Sequence, residues 1–222
     1  AKDEPRTERG QADWADRFFN RVLAADEAGA WGVIEAALSS GMAIPDVYPA
    51  LLSPTMRRIG DLWSADELDI ATEHAASEVA ARIVARLGPR LARRGVRRGT
   101  VVLGSTATEL HSLPLAMATD LFRASQFEAI DLGAYLPPDS FASFVAETDD
   151  LVAVGIGVTT PGQEDEIGKT LAALRSVTDV PIVIGGYGVD EAVALELGAD
   201  GWADTGEGAV ELVEGLLSSA DD

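Results

Sequence analysis

The chain has 222 residues, 47% of them apolar, no cysteine, and a formal net charge of -20. That length admits one large domain or two small ones, and the apolar share is enough for a substantial core. The lack of cysteine excludes disulfides, thiolate metal sites, cysteine nucleophiles and attachment of a group through a thioether. The charge is uneven: residues 99–222 hold 22 Asp and Glu against Arg123, Lys169 and Arg175, a balance of -19, whereas residues 1–98 come to -1. An acidic half repels nucleic acid, so direct nucleic-acid binding by this chain is not expected. No run approaches the length of a membrane span, and the opening AKDEPRTE is too polar for a signal peptide, so a soluble, cytoplasmic protein is expected.

Gln11 to Leu23 carries Trp14, Phe18 and Val22 at helical spacing and reads as an amphipathic helix. Ala30 to Leu38 reads as a second, ended near Gly41. A third begins at Pro45 and runs through Val47, Leu51, Leu52, Met56 and Ile59, with a kink or reset expected at Pro54. Ser64 and Glu67 fit a capping box, with Asp66 a rival cap, for a fourth helix. In it Ile70, His74, Ser77, Ala81 and Val84 recur at steps of three and four, which aims His74 with the apolar stripe and away from solvent. Four such helices joined by short loops make a bundle. Gly88 to Gly99, GPRLARRGVRRG, combines Gly, Pro and an arginine run and marks a boundary. The basic cluster Arg82, Arg86, Arg90, Arg93, Arg94, Arg97 and Arg98 reads as a solvated helix end and linker.

Beyond the boundary strand and helix alternate. Thr100 to Leu103 leads to a helix at Leu113 to Phe122, Ala129 to Leu132 to one at Ser140 to Glu147, and Leu151 to Val158 to one at Glu164 to Ser176. Pro181 to Ile184 leads to Asp190 to Leu197, and a weak strand at Gly201 to Ala203 leads to Ala209 to Leu217. This predicts an N-terminal four-helix bundle over residues 8–88, a basic linker over 89–98 and, over 99–220, a doubly wound, mostly parallel, five-stranded Rossmann-like sheet.

In such sheets ligands sit at the carboxyl ends of the strands. Four loops are predicted there: Ser105 to Leu113 with Glu109 and His111, the DLGAYLPP segment with Gly133, the VTTPGQ segment with Thr159 and Thr160, and the GGYG segment with Gly185, Gly186 and Gly188. His111 alone is either a ligand or an ordinary loop histidine. No GxGxxG or GxxxxGK[ST] loop is present, so a dinucleotide or nucleoside triphosphate lacks its usual cradle. Two histidines on different domains, without HExxH, do not make a bare metal centre, and no GxSxG elbow supports a hydrolase. A metal already held in an organic ring asks less of a protein. One imidazole supplies an axial ligand, and a carboxylate on its other nitrogen fixes the tautomer. Glu109 and His111 are spaced for that pair.

These motifs resemble the cobalamin-binding domain of the methionine synthase and methylmalonyl mutase kind, whose pattern is DxHxxG, then SxL or SxT, then GG. Here it stands as Glu109, Leu110, His111, Ser112, Leu113 and Pro114, then Gly157, Val158 and Thr159, then Gly185 and Gly186. The resemblance implies that His111 is the lower axial ligand to cobalt, displacing the cofactor's own base, and that Glu109 orients it. It also implies that Leu110, Ser112, Leu113, Gly133, Val158, Thr159, Thr160, Gly185, Gly186 and Gly188 line the ring and the displaced nucleotide tail. Three positions depart from the pattern: Glu109 stands for Asp, Pro114 for Gly and Gly157 for Ser.

Trp63, Glu73 and His74, in WSADELDIATEH, are similar to the tryptophan and glutamate-histidine arrangement of the light-sensing, adenosylcobalamin-dependent MerR-type repressors. That resemblance implies a bundle capping the upper corrin face, Trp63 against an adenosyl group, Glu73 near its ribose, and His74 able to ligate cobalt after photolysis. Ser64 follows Trp63 where those repressors carry a histidine. Bundle helices begin within about a dozen residues of Ala1, so a DNA-binding winged helix is not expected in this chain. The leading expectation is therefore an adenosylcobalamin photoreceptor or regulatory module, not an enzyme, whose photolysis changes its oligomeric state or partner. A noncovalent bilin is admitted as a second pigment. The alternatives are a corrinoid shuttle protein of a methyltransferase system and a cobalamin-free interaction module.

Overall fold

Phe18, Phe19 and Val22 lie on one side of α1 (Arg6–Leu23) and are buried, as the sequence spacing requires. In the computed structural model, which describes residues 6–91 and 95–220, this helix opens the first of two compact units, Ala1–Leu91 and Ala92–Asp222. Helix α2 (Glu27–Ser39) begins at Asp26, whose carboxylate accepts from the Gly29 N–H at 2.9 Å, and buries Ala30, Ile34 and Ala37. The stretch after Pro45 opens with turns and then a π-helical segment, Tyr48–Leu52, with Tyr48, Leu51 and Leu52 fully buried. The ladder resets at α3 (Ser53–Ser64), where Pro54 occupies the first turn and its missing N–H costs nothing.

Two expectations for α4 (Ile70–Leu91) are corrected. Neither Ser64 nor Asp66 caps it: Ser64 closes α3, donating to the Asp61 carbonyl at 2.9 Å, and Asp66 takes the left-handed turn (φ 57°) that leaves that helix. The cap is Asp69, which accepts from the Ala71 and Thr72 N–H groups at 3.0 Å each. His74 does not face inward, its side chain being 70% exposed. The buried stripe is Ala76, Val79, Ala80, Ile83, Val84, Leu87 and Leu91, because alanines at 76 and 80 let the helix pack closely. The helix continues through Gly88 and Pro89 to Leu91. The described arginines of this stretch are exposed, as a solvated helix end and linker requires, and each also has a partner. Arg82 pairs with Glu27 at 3.0 Å, while Arg86 and Arg90 stand 3.7 and 5.9 Å from the Trp31 ring centre. In the second unit Arg97 pairs with Glu128, and Arg98 pairs with Glu214 and lies 4.7 Å over Phe127. Arg93 and Arg94 fall outside the described residues.

The second unit is a parallel, doubly wound sheet in the order β2-β1-β3-β4-β5. Its strands are β1 (Thr100–Ser105), β2 (Glu128–Asp131), β3 (Leu151–Gly157), β4 (Ile182–Gly185) and β5 (Gly201–Ala203). Helices α5 (Leu113–Ala124), α6 (Pro138–Ala146), α7 (Glu164–Arg175), α8 (Glu191–Glu196) and α9 (Gly206–Ala220) follow them in turn. Val102, Val154, Ile156, Ile182 and Ile184 pack with Phe141 and Val145 of α6, Ile167, Leu171 and Leu174 of α7, and Ala194 of α8. Helices α5 and α9 pack on each other. β1 is flanked by β2 and β3, so the winding reverses between β1 and β3, and the loops leaving that pair open the crevice where such sheets bind ligands. Among the described residues no helix is long and apolar enough to cross a membrane.

Candidate functional site

Glu109 lies in the loop between β1 and α5 and is fully buried. A carboxylate there is tolerable only if hydrogen bonds replace its water, and this one accepts seven. Its Oε1 receives the His111 backbone N–H at 3.0 Å, His111 Nδ1 at 2.6 Å and Thr160 Oγ1 at 3.2 Å. Its Oε2 receives the Thr159 and Thr160 N–H groups at 2.7 and 2.8 Å, Thr159 Oγ1 at 3.0 Å and Gln163 Nε2 at 3.2 Å. Burial pushes the carboxyl's pKa up, but the N–H groups of His111, Thr159 and Thr160, with the His111 ring, outweigh it and hold the value at about 2.

An ionised carboxylate can only accept, so in the neutral imidazole of His111 Nδ1 carries the proton and Nε2 keeps its lone pair. That side chain is 62% exposed while its partner is fully buried. The result is an oriented donor nitrogen presented at the rim of the sheet.

The other loops are drawn onto this pair. The Gly133 carbonyl accepts from the Ser105 N–H at 3.2 Å, and the Tyr135 N–H donates to the Glu109 carbonyl at 2.8 Å. Asp131 accepts from the Gly133 N–H at 2.8 Å; burial pushes its carboxyl up. The Gly188 N–H donates to the Val158 carbonyl at 3.1 Å, and the Val158 N–H to Gly185 at 2.8 Å. A Cβ on Gly186 (φ 107°) would stand 2.2 Å from the Val158 carbonyl oxygen, and one on Gly188 would stand 2.7 Å from that of Thr160. Only glycine lets the β4–α8 loop lie this close to the β3–α7 loop. Leu110 is 72% exposed, Ser112 precedes α5 without making a cap hydrogen bond, and Leu113 opens the helix. Pro114, where the pattern has glycine, sits in the first turn of α5, where no N–H is needed.

The structure thus brings together Glu109, His111, Gly133, Val158, Thr159, Thr160, Gly185, Gly186 and Gly188. Trp63, Glu73 and His74 belong to the helical unit. Trp63 is 47% exposed and is not a core residue, and Glu73 accepts from Ser77 Oγ at 2.6 Å. Three residues were not singled out from sequence. Gln163 is buried, its amide oxygen accepts from Thr106 and from Thr108 Oγ1 (2.8 Å), and its Nε2 also donates to the Thr160 carbonyl at 3.1 Å. The only sequence signal for it was its place at the end of VTTPGQ.

Among the described residues no group of three or more His, Asp or Glu side chains could hold a bare metal ion. A single imidazole fixed by a buried anion suits a metal already chelated by a ring. Glycines at Gly133, Gly186 and Gly188, with open space above Gly133, suit a broad flat ligand against the rim. The donor set and the cradle therefore fit a cobalt corrinoid.

Fold and rim together define a corrinoid-binding α/β protein with a helical N-terminal unit. The chain belongs to the B12 binding domain family: one model of that description matches residues 99–214, over half the chain, and a second matches residues 14–87. It binds a cobalamin-type corrinoid cofactor. A corrinoid protein of Desulfitobacterium hafniense (strain Y51) is 29% identical over 121 residues, or 54% of this chain; the match spans only 56% of that relative's length. The monomethylamine corrinoid protein of Methanosarcina barkeri has the same fold, with a TM-score of 0.78 at 20% identity over 94% of this chain and 99% of that one. The methanol:cobalamin methyltransferase complex of the same organism superposes with a TM-score of 0.51 at 14% identity over 93% of this chain and 80% of its own.

These relatives overturn the photoreceptor reading. They are corrinoid proteins, not light-sensing MerR-type repressors, and with that reading go the signal-transduction role and the bilin as a second chromophore. The alternative reading, a corrinoid shuttle protein, is the one they favour.

Proposed function

We propose that this chain is the corrinoid carrier of a methyltransferase system, holding cobalamin at the carboxyl rim of the sheet and presenting it in turn to a methyl-donating and a methyl-accepting enzyme. The observation that carries the reading is the exposed His111 ring locked through Nδ1 to the fully buried Glu109. When bound, a cobalt corrinoid supplies a metal that takes up a methyl group from one partner and gives it up to another. The chain's own contribution is positional. His111 Nε2 would hold the metal, Glu109 fixes the tautomer and direction of the ring, and Thr159, Thr160 and Gln163 keep Glu109 charged and still. Leu110, Ser112 and Leu113 on one loop, and Gly133, Val158, Gly185, Gly186 and Gly188 on the others, bed the ring and its tail.

The group carried is methyl in place of adenosyl. Relatives named as monomethylamine and dimethylamine corrinoid proteins support that choice. The partners are correspondingly the two methyltransferases, in place of further copies of this chain.

The test is electron paramagnetic resonance of the chain loaded with cobalamin and reduced to the Co(II) state, prepared with ordinary and with 15N-labelled histidine. A nitrogen splitting that changes from triplet to doublet on labelling, and is lost in His111→Ala, is the expected result. A splitting that ignores the label would mean that the cofactor keeps its own base and would remove His111 from the metal.

A further inference from the structure

Arg82, Arg86 and Arg90 follow one another at successive turns of α4, about 6 Å apart along the axis, and form one exposed row. On α2 Glu27 and Trp31 are likewise one turn apart and meet this row. Arg82 is neutralised by Glu27 at 3.0 Å. Arg86 and Arg90 are not: both guanidinium groups stand over the ring of Trp31, at 3.7 and 5.9 Å from its centre. Among the described residues neither has a carboxylate partner, and exposed Glu35, the next turn of α2, pairs with neither. Such pairing is otherwise the habit of this chain. Acids outnumber bases 37 to 17, and Arg17, Arg21, Arg58, Arg123 and Arg175 each reach one.

Stacking on an indole uses the face of a guanidinium and leaves its edge. The five N–H donors of an arginine lie in that edge in a fixed fork, and a stacked side chain is already placed, so less entropy is lost when a ligand takes them. A fork of this kind matches a carboxylate two hydrogen bonds at a time. Tryptophan and arginine are also the residues that most often carry the energy of protein interfaces. We propose that Arg86 and Arg90, stacked on Trp31, are a docking surface for an acidic helix of a protein partner, whose two carboxylates one turn apart meet the two guanidinium edges. The spacing of the donors, about 6 Å, is that of residues four apart on a helix. The charge of the chain selects protein over other anions. It totals -20, so an extended polyanion such as a nucleic acid or an anionic membrane is repelled along its length. A protein carries its acid as a local patch and is free to be basic elsewhere, which the acidic residues 99–222 attract. None of the three residues belongs to the sheet rim, so the inference does not depend on the corrinoid reading.

The experiment is fluorescence anisotropy of two labelled, alanine-rich helical peptides titrated with the full chain. One carries a pair of glutamates four residues apart; in the other the same pair is two residues apart and falls on different faces. The parent should bind the first about tenfold more tightly, the worth of one matched charge-assisted pair, and the difference should shrink at high salt. The double variant Arg86→Lys, Arg90→Lys keeps both charges but loses the forks, and should bind the two peptides alike. The comparison of peptides on the parent decides the matter even where a variant is unstable. Equal binding of both peptides by the parent, binding of neither, or a folded double variant that keeps the preference would overturn the proposal. Tighter binding of a single-stranded oligonucleotide or of phosphatidylglycerol vesicles than of the first peptide would overturn it in favour of a polyanion. A dimer of the chain alone that the double variant abolishes, seen by size-exclusion chromatography, would make a second copy the occupant instead.

Discussion

Replacing Glu109 with glutamine keeps the shape of the side chain and removes the charge on which its seven hydrogen bonds converge. The cost can be worked out in two ways. Holding the carboxyl at about 2 against an ordinary 4.5 contributes about 3 kcal/mol of folding stability at neutral pH, at roughly 1.4 kcal/mol per pH unit. Independently, an amide has one accepting oxygen where the carboxylate has two. Whichever way it is turned, its NH2 faces either the His111 N–H or those of Thr159 and Thr160, and each buried N–H so abandoned costs about 1–3 kcal/mol. Both routes give about 3 kcal/mol, or roughly 6–12 °C in melting temperature for a chain of this size. Circular dichroism melts from pH 7 down to pH 2 are the assay. The folded pKa is the depressed one, so the stabilisation is complete above the unfolded value of 4.5 and is lost as pH falls through it towards 2. The gap between parent and Glu109→Gln should therefore be widest at pH 7 and have shrunk by more than half at pH 3. A gap below about 1 kcal/mol at pH 7, or one as wide at pH 3 as at pH 7, would refute the reasoning.

Gln163→Leu strips buried Thr106 and exposed Thr108 of their acceptor and Glu109 of a donor. A loss of about 2 kcal/mol in urea unfolding is expected, and a change under about 0.5 kcal/mol would show that the amide is dispensable. Gly186→Ala drives a Cβ to 2.2 Å from the Val158 carbonyl at a φ of 107°, and should cost more than about 3 kcal/mol or abolish soluble expression. Gly133→Ala, at a φ of 78° but with nothing within 4 Å, should cost only about 1 kcal/mol, so equal urea midpoints for the two variants would contradict the close-approach argument.

Most of the sheet was legible because each strand is a short apolar run closed by glycine, serine or aspartate. The sequence spacing places Gly201 to Ala203 as a strand, and the structure has it there. The pairing of Glu109 with His111 was legible for a local reason, two residues of one loop needing no knowledge of the rest of the chain. Gln163, Thr106 and Thr108 were not, since they meet only through the register of β1 on β3, and polar residues in loops carry no periodicity. His74 misled because an alanine-rich helix offers several lines at steps of three and four. The line that is buried, through Ala76 and Ala80, is chosen by close approach and not by hydrophobicity. The photoreceptor reading failed at the same place. It rested on Trp63, Glu73 and His74, whose spacing any amphipathic helix pair can produce, whereas the motifs at the sheet rim are shared by cobalamin-binding proteins of many kinds.

The lock on Glu109 also sets an order of events in the making of the protein. Its donors at Thr159, Thr160 and Gln163 arrive 50 to 54 residues later in the chain. A nascent chain that has completed β1 and α5 still has to keep that carboxylate in water, since only the two His111 donors are yet made and the five from Thr159, Thr160 and Gln163 are not. His111 is then a mobile side chain on an unanchored loop, and it acquires a direction only when β3 docks beside β1 and delivers its threonines. The aimed imidazole is thus a product of sheet closure, a long-range step that comes late in folding. An unfinished chain in the cell carries the histidine but not yet the site.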